Sequence, residues 1–238
     1  MQLSNHIYCD PLFENIAIEN LLLPNPYKEY PYLIIENFFT PELLKEIVDY
    51  SKQKDDIAQA KIKATVVDGI VQPKLNIKQR KTNILKLNKQ FTNIYNTQFQ
   101  NFQPQIEEFF NTPLTFSTKV QMLQYKKGFF YKKHADDSSE LIDENNNTVG
   151  FINVASQRKV TTVLFATTCQ DEDDGYSFSG GELVFNYLYD KEGNQIKLKP
   201  KAGDMVIFPS NPYFSHEVLP VTDGYRLTLV QWHDGIIQ

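Results

Sequence analysis

Long apolar runs are missing from this sequence, and cysteine is nearly so. The early cluster Leu21-Leu22-Leu23 stops at Pro24, far short of the ~20 apolar residues that a membrane-spanning helix needs. Two cysteines, Cys9 and Cys169, lie far apart and make no disulfide framework. Residues 1–25 hold no Lys or Arg, so the positively charged start of a secretory signal is missing. A basic excess is absent as well: the net charge is −5, which argues against a nucleic-acid substrate, because phosphate binding draws on a basic face. No fixed period marks a repeat array. A soluble, cytoplasmic chain with no membrane and no nucleic-acid partner is the expectation.

What the chain has in quantity is aromatic residues. Its 17 Phe and 13 Tyr among 238 residues fit a strand-rich protein large enough to bury one substantial core. Residues 1–30 read as an irregular segment punctuated by Pro11, Pro24 and Pro26. Residues 31–238 read as one domain, with helical support over 31–112 and a strand-built core over 113–238. Tyr32–Glu36 is a short strand, and Thr40-Pro41-Glu42 is a helix start with a capping hydroxyl and an acid near the positive end of the dipole. A second helix is predicted over about residues 89–111 from the spacing of Phe91, Ile94, Tyr95, Phe99, Phe102, Ile106, Phe109 and Phe110, with Pro104 expected to kink or split it. Residues 61–89 carry eight Lys or Arg against Asp68, a local balance of +7.

From Pro113 onward short β-branched or aromatic runs alternate with turns. They cover residues 120–125, 159–168, 182–187, 195–199, 204–208, 216–221 and 225–232, and the turns include Gly180-Gly181, Ala202-Gly203 and Asp223-Gly224. Helices followed by seven or eight short strands form the pattern of a double-stranded β-helix, or jelly roll, with the helices packed on one sheet: mainly β with flanking helices. The acidic stretches Asp136–Glu144 and Asp171–Asp174 read as solvated loops. The first, growing out of the ligand motif described next, has a second reading as a lid. Neither has the residue order of a calcium loop.

The chemistry concentrates in His134-Ala135-Asp136, with His216 later in the chain and Arg226 ten residues after it. Two imidazoles and a carboxylate form the facial triad of a non-haem Fe(II) site, leaving three coordination positions open. A structural zinc site would ask for a closed fourth ligand, with thiolates among the set. Alone, His-x-Asp means little: with four His and 15 Asp in the chain, chance supplies about one such match in four sequences of this kind. Context makes the case. In extended backbone His134 and Asp136 face the same way, and His216 opens a later strand able to pair opposite them. His6 and His233 have no comparable setting. Arg226, Thr228, Val230 and Trp232 share one strand face, so a guanidinium is directed into the barrel. A buried cation calls for an anion, and its planar fork suits a carboxylate. A protein acid such as Glu182 is the structural alternative for that anion.

Residues 118–234 resemble the Fe(II)/2-oxoglutarate dioxygenases of the prolyl 4-hydroxylase type. The matching segments are Leu123-Gln-Tyr125 with Gly128, His134-Ala-Asp136, Gly180-Gly-Glu-Leu183, Ala202-Gly-Asp204 into Phe208, His216-Glu-Val218 with Pro220-Val221, and Gly224-Tyr-Arg226 with Trp232. Residues 32–50 and Arg80 match the family's N-terminal helical portion less specifically. The resemblance implies that His134, Asp136 and His216 ligate Fe(II), and that Arg226 binds the distal carboxylate of 2-oxoglutarate. It implies also that Tyr125 lines the pocket as a hydroxyl donor and that Trp232 closes the floor. Where relatives often carry a tyrosine that shares the carboxylate, this chain has Phe165, so Thr161, Thr228 or water must supply that bond. The implied reaction consumes 2-oxoglutarate and O2, releases succinate and CO2 and hydroxylates an aliphatic C–H, with ascorbate as reductant. Asp136 speaks against halogenation, since related halogenases have a small residue at that place. A prolyl residue of a peptide or protein is the leading substrate, with Lys126, Lys127, Lys132, Lys133 and the 61–89 stretch as a rim for acidic flanks. A free amino acid or other small molecule is the rival, and a non-catalytic jelly-roll protein binding metal and an acid is the alternative from another class.

Overall fold

The computed structural model describes residues 32–54, 78–142, 148–172 and 174–236, together with the short strands Ile7–Tyr8, Ile57–Gln59, Ile62–Lys63 and Pro73–Lys74. Two helices support the barrel. Helix α1, Pro41–Lys52, begins where the Thr40 side chain accepts the Leu43 N–H at 3.4 Å, and it buries Leu44, Ile47 and Val48. Helix α2, Lys89–Phe110, begins where Asn88 accepts the Phe91 N–H at 2.7 Å and ends on Asn111, whose left-handed backbone (φ 47°) turns the chain away. This helix runs unbroken through Pro104, so the expected split does not occur. The carbonyl that loses its partner there belongs to Gln100, and both Gln100 and Pro104 are exposed, so water takes up the bond.

Two facing sheets form the barrel, and three minor ones lie among the other described strands. The larger runs Leu33–Ile35, Met205–Pro209, Val160–Phe165, Arg226–Gly235, Gln121–Tyr125, Asn83–Leu85 and Ile57–Gln59, with Leu114–Ser117 also paired to Arg226–Gly235. The smaller runs Gln195–Leu198, Leu183–Tyr189, His216–Val218, Phe130–His134 and Arg80–Lys81. The period of two along Arg226–Gly235 divides the core. Leu227 and Leu229 pack with Leu44, Ile47, Tyr95 and Phe99 on the helix side, while Val230 and Trp232 join Phe165, Phe185 and Phe208 between the sheets. This is the mainly β jelly roll with helices on one sheet that the sequence pattern called for.

Several boundaries differ from expectation. The run 216–221 divides into His216–Val218 and Val221–Gly224, because Pro220 has no N–H to continue the ladder. The run 159–168 likewise divides into Val160–Phe165 and Thr168–Cys169. The acidic segment after the ligand motif is not a solvated loop over the described residues. Ser138–Ile142 is a strand, paired antiparallel with Thr148–Asn153, and Ile7–Tyr8 pairs with the outer edge of the same hairpin. The acids there are partnered: Glu140 forms an ion pair with Lys133 at 2.6 Å, and Asp137 accepts from the Ser138 hydroxyl. Apart from Ile7–Tyr8, the reading of residues 1–30 lies outside the described residues, as do Cys9, His6 and most of the basic stretch. Among the described residues no helix is long and apolar enough to cross a membrane.

Candidate metal centre and anion pocket

Strand register assembles the triad. Phe130–His134 pairs antiparallel with His216–Val218, and His134 stands directly opposite His216. Just past the strand end, the N–H groups of Asp136 and Asp137 both donate to the Ser210 carbonyl, at 3.1 and 3.0 Å. This turn brings the Asp136 carboxylate back beside the two rings. The ligand atoms of His134, Asp136 and His216 all lie within 4.8 Å of one another. Asp136 oxygens sit 3.8 Å from His134 Nε2 and 3.9 Å from His216 Nε2.

Both imidazoles are held in one tautomer. His134 Nδ1 lies 2.9 Å from the Lys132 carbonyl and His216 Nδ1 lies 2.9 Å from the Phe214 carbonyl. A carbonyl accepts only, so each Nδ1 carries the proton and each Nε2 presents its lone pair to the centre. Burial, followed by the neighbouring His216, lowers the His134 pKa well below its ordinary value, which keeps that ring neutral. Burial raises Asp136, but the two imidazoles, the Thr161 hydroxyl and Arg158 outweigh it and leave the carboxylate below its ordinary pKa. A donor set of two neutral nitrogens and one ionised carboxylate, on one side of a cavity, fits a divalent transition metal with open positions.

The cavity measures about 520 Å³, and its walls include every predicted site residue except Phe165. Arg226 is 1% exposed, and among the described residues it forms no ion pair; Glu182 does not neutralise it. Its Nε donates to the Gly181 carbonyl at 2.9 Å, and its guanidinium lies 4.7 Å from the Tyr125 ring, 5.0 Å from Phe165 and 5.6 Å from Phe178. Phe165 therefore packs on the cation and has nothing to donate. Gly181 has to be a glycine: its φ is +63°, and a Cβ would stand 2.8 Å from Val221 Cγ2 and 3.1 Å from Arg226 Cδ. Tyr125 stands opposite Arg226 across the strand pair, and Thr228 lies two residues on. Both line the cavity, and no hydrogen bond from either hydroxyl is found among the described residues. A buried cation flanked by two free hydroxyls is a receptor for a carboxylate.

Thr161 has a different task from the one the sequence suggested. Its hydroxyl donates to Asp136 Oδ2 at 2.7 Å and lies 2.8 Å from Ser210 Oγ, so its single proton is directed at the metal carboxylate. Trp232 lines the cavity with the Arg158 guanidinium 4.0 Å above its ring, and Arg158 Nη1 donates to the Asp136 carbonyl at 3.0 Å. Tyr131 stacks on His134, centroids 3.5 Å apart. Sequence reasoning missed Arg158, Ser210 and Tyr131. Tyr131 alone had a signal, as an aromatic three residues before a ligand on the same strand. Of the lysines proposed as a rim, Lys133 lines the cavity, while Lys126, Lys127 and Lys132 are exposed away from it. His233 takes no part in the site: it stacks on Phe99, 4.4 Å between centroids, in the helix-side core.

Comparison with known proteins agrees with this geometry. Residues 120–234 match the model of the 2OG-Fe(II) oxygenase superfamily. A PKHD-type hydroxylase of Rippkaea orientalis is 32% identical over 117 residues, 48% of this chain and 42% of that protein. A putative prolyl 4-hydroxylase of Acanthamoeba polyphaga mimivirus is 29% identical over 134 residues, 52% of this chain and 47% of that protein. The chain thus spans less than half the length of the curated relatives it matches. Among solved structures, a Pseudomonas putida prolyl-4-hydroxylase superposes with a TM-score of 0.56 at 19% identity, over 86% of this chain and 92% of that one. A Trichoplax adhaerens prolyl hydroxylase, solved with a hypoxia inducible factor peptide fragment, gives 0.58 at 17% identity, over 86% and 83%. At such identities these structures speak for the fold. With the triad in place and the sequence match running from Val120 through Asp234, this part of the chain is similar to the 2OG-Fe(II) oxygenase superfamily, to prolyl 4-hydroxylases and to PKHD-type hydroxylases.

Proposed function

We propose that this chain is a 2-oxoglutarate-dependent hydroxylase that acts on an aliphatic C–H of a prolyl residue in a peptide or protein. One observation carries the reading: a buried, unpaired Arg226 shares a cavity with an intact two-histidine, one-carboxylate triad. Fe(II), with 2-oxoglutarate and O2, supplies oxidative decarboxylation to succinate and CO2 coupled to C–H hydroxylation. The chain's residues do the rest. His134 and His216 present Nε2, and Thr161 holds the Asp136 carboxylate in place. Arg226 receives the distal carboxylate, aided by the Tyr125 and Thr228 hydroxyls, while Phe165 and Phe178 wall the guanidinium from water.

A peptide substrate is supported by the relatives named prolyl 4-hydroxylase and by the peptide in the Trichoplax adhaerens structure. Hydroxylation of a free amino acid is favoured instead by the hairpin, whose Ser138, Ser139 and Glu140 form one wall of the cavity. The test is succinate formation from 2-oxoglutarate with Fe(II), ascorbate and O2, for wild type beside His134→Ala and Arg226→Ala, with and without proline-containing peptides. Turnover lost in both variants and stimulated by peptide supports the proposal. Turnover that survives Arg226→Ala at low 2-oxoglutarate refutes the assignment of Arg226, and stimulation by free amino acids alone refutes the peptide.

A further inference from the structure

The cavity wall holds more positive charge than the metal and co-substrate sites use. Arg80 is 8% exposed and lines the cavity, its guanidinium 4.4 Å from the Tyr131 ring. Among the described residues it has neither a hydrogen-bond acceptor nor an ion-pair partner, and its Nε is buried and unmatched. Arg158 lines the same wall. Its one bond to the protein goes to the Asp136 carbonyl, and its Nε is likewise buried and unmatched. Trp232 Nε1, beneath Arg158, is a third orphan donor.

The nearby acids are engaged elsewhere. Asp136 belongs to the triad and accepts from Thr161, and Glu140 is paired with Lys133. A divalent ion and Arg226 together balance Asp136 and a dicarboxylate. Asp137, the other buried acid acting on Arg158, already accepts from Ser138 and Asn153, so Arg80 and Arg158 together carry more positive charge than the wall offsets. A buried guanidinium at Arg80 and a partly buried one at Arg158, held on aromatic faces with less than their counter-charge, are unfavourable, so the wall is built for an anion that arrives from outside. Neutral carbonyls satisfy donors but leave the charge. All this sits in a protein of net charge −5, so the site is a local reversal and not part of a basic surface.

We propose that Arg80 and Arg158 are specificity-determining residues that bind a carboxylate of the substrate, so that the molecule hydroxylated is anionic beside its reacting carbon. This rests on the hydroxylase reading above and names its substrate class. The carboxylate has two possible sources, an acidic side chain next to the target proline in a peptide or the carboxylate of a free imino acid.

Trp232 is the chain's one tryptophan, so intrinsic fluorescence reports on this wall. The full chain, both metal-free and loaded with Mn(II) and 2-oxoglutarate, is titrated with four probes. These are a short capped peptide with glutamates flanking a central proline, its glutamine twin, free L-proline and L-prolinamide. The expected result is a Kd lower by about tenfold for an acid than for its neutral twin, the order of a single charge-assisted contact. That preference falls to near unity in Arg80→Gln and is partly kept in Arg80→Lys. The pair that shows it identifies the source. A merely structural role for Arg80 changes both twins alike and leaves their ratio in place. Equal response to acid and neutral probes, no response to any of them, or an acid preference that survives both Arg80→Gln and Arg158→Gln overturns the proposal. Because the metal-free titration needs no turnover, its outcome is separate from the succinate test of the hydroxylase itself.

Discussion

His233 makes the acid stability of this fold calculable. Its ring is buried flat against Phe99, with Nδ1 2.8 Å from Ser117 Oγ and Nε2 3.1 Å from Thr162 Oγ1. Burial lowers its pKa to about 3 from an ordinary 6.5. The folded state therefore resists a proton that the unfolded chain accepts. The stability this neutral histidine gives is fully present above pH 6.5, and it is lost as pH falls from there toward 3. Between pH 7 and pH 5 the linkage relation converts the shift into a loss of about 2 kcal/mol. His233→Phe keeps an aromatic ring for Phe99 and removes the titration. Urea unfolding of metal-free wild type and variant at the two pH values isolates the effect. Any constant cost of losing the two hydroxyl contacts cancels, and so does Asp137, which burial raises to about 7 and which titrates with opposite sign in both proteins. Wild type should lose about 2 kcal/mol more than the variant, about 1 M in urea midpoint at a slope near 2 kcal/mol/M. Equal losses in the two proteins refute the argument.

Three further predictions concern the site. Thr161→Val removes the donor to Asp136 Oδ2 and should weaken Co(II) or Mn(II) binding by about 10- to 100-fold; unchanged affinity in a direct metal titration removes Thr161 from the metal's support. Gly181→Ala places a methyl against Arg226 and Val221 at a left-handed backbone position costing about 1–3 kcal/mol. The KM for 2-oxoglutarate should rise by about tenfold or more while metal binding holds, and an unchanged KM shows that the arginine's pose is not held there. Thr228→Val keeps shape and loses one free hydroxyl. It should raise the 2-oxoglutarate KM by about tenfold, the value of one bond to a charged group, and leave the urea midpoint where it was; a fall in midpoint with no change in KM reverses that assignment.

The parts of this site that were legible in the sequence are those carried by periodicity within one segment. The alternation from Arg226 to Trp232 says that a guanidinium enters the barrel, and His134 and Asp136 in a short extended stretch say that two ligands converge. Relations between distant segments were not legible. Thr161 and Asp136 are 25 residues apart, and nothing local in Val160–Phe165 tells that the threonine hydroxyl serves a carboxylate from the turn after Phe130–His134. The same blindness misread Glu140. An acid among acids looks solvated until Lys133, on a neighbouring strand, is found 2.6 Å away. Arg158 left no trace either, since it precedes its strand in an ordinary polar turn and acquires its position by lying on Trp232. Pro104 shows the converse error: a strong local signal for a break that solvent exposure of Gln100 made harmless.

The strand Arg226–Gly235 explains why stability and chemistry can be perturbed separately in this protein. Its even-numbered residues, Arg226, Thr228, Val230 and Trp232, line the cavity, while Leu227, Leu229 and His233 pack against the helices. A cavity-facing polar group has its partner missing in the protein alone, so removing it costs binding and little folding energy. A helix-facing group has all its partners within the protein, so removing it costs folding energy and leaves the cavity wall in place. His233 and Trp232 are chain neighbours on opposite faces of one strand, and they should fall on opposite sides of this division. A change that moved both quantities at once, such as loss of Arg226 lowering the urea midpoint, has its own physical meaning: the guanidinium is stacked among Tyr125, Phe165 and Phe178 and contributes packing as well as charge. Arg226→Lys against Arg226→Met separates the two, because Met keeps most of the stem and none of the charge. If folding stability follows the stem and 2-oxoglutarate affinity follows the charge, the strand's two faces are energetically independent at the residue proposed to receive the co-substrate's carboxylate.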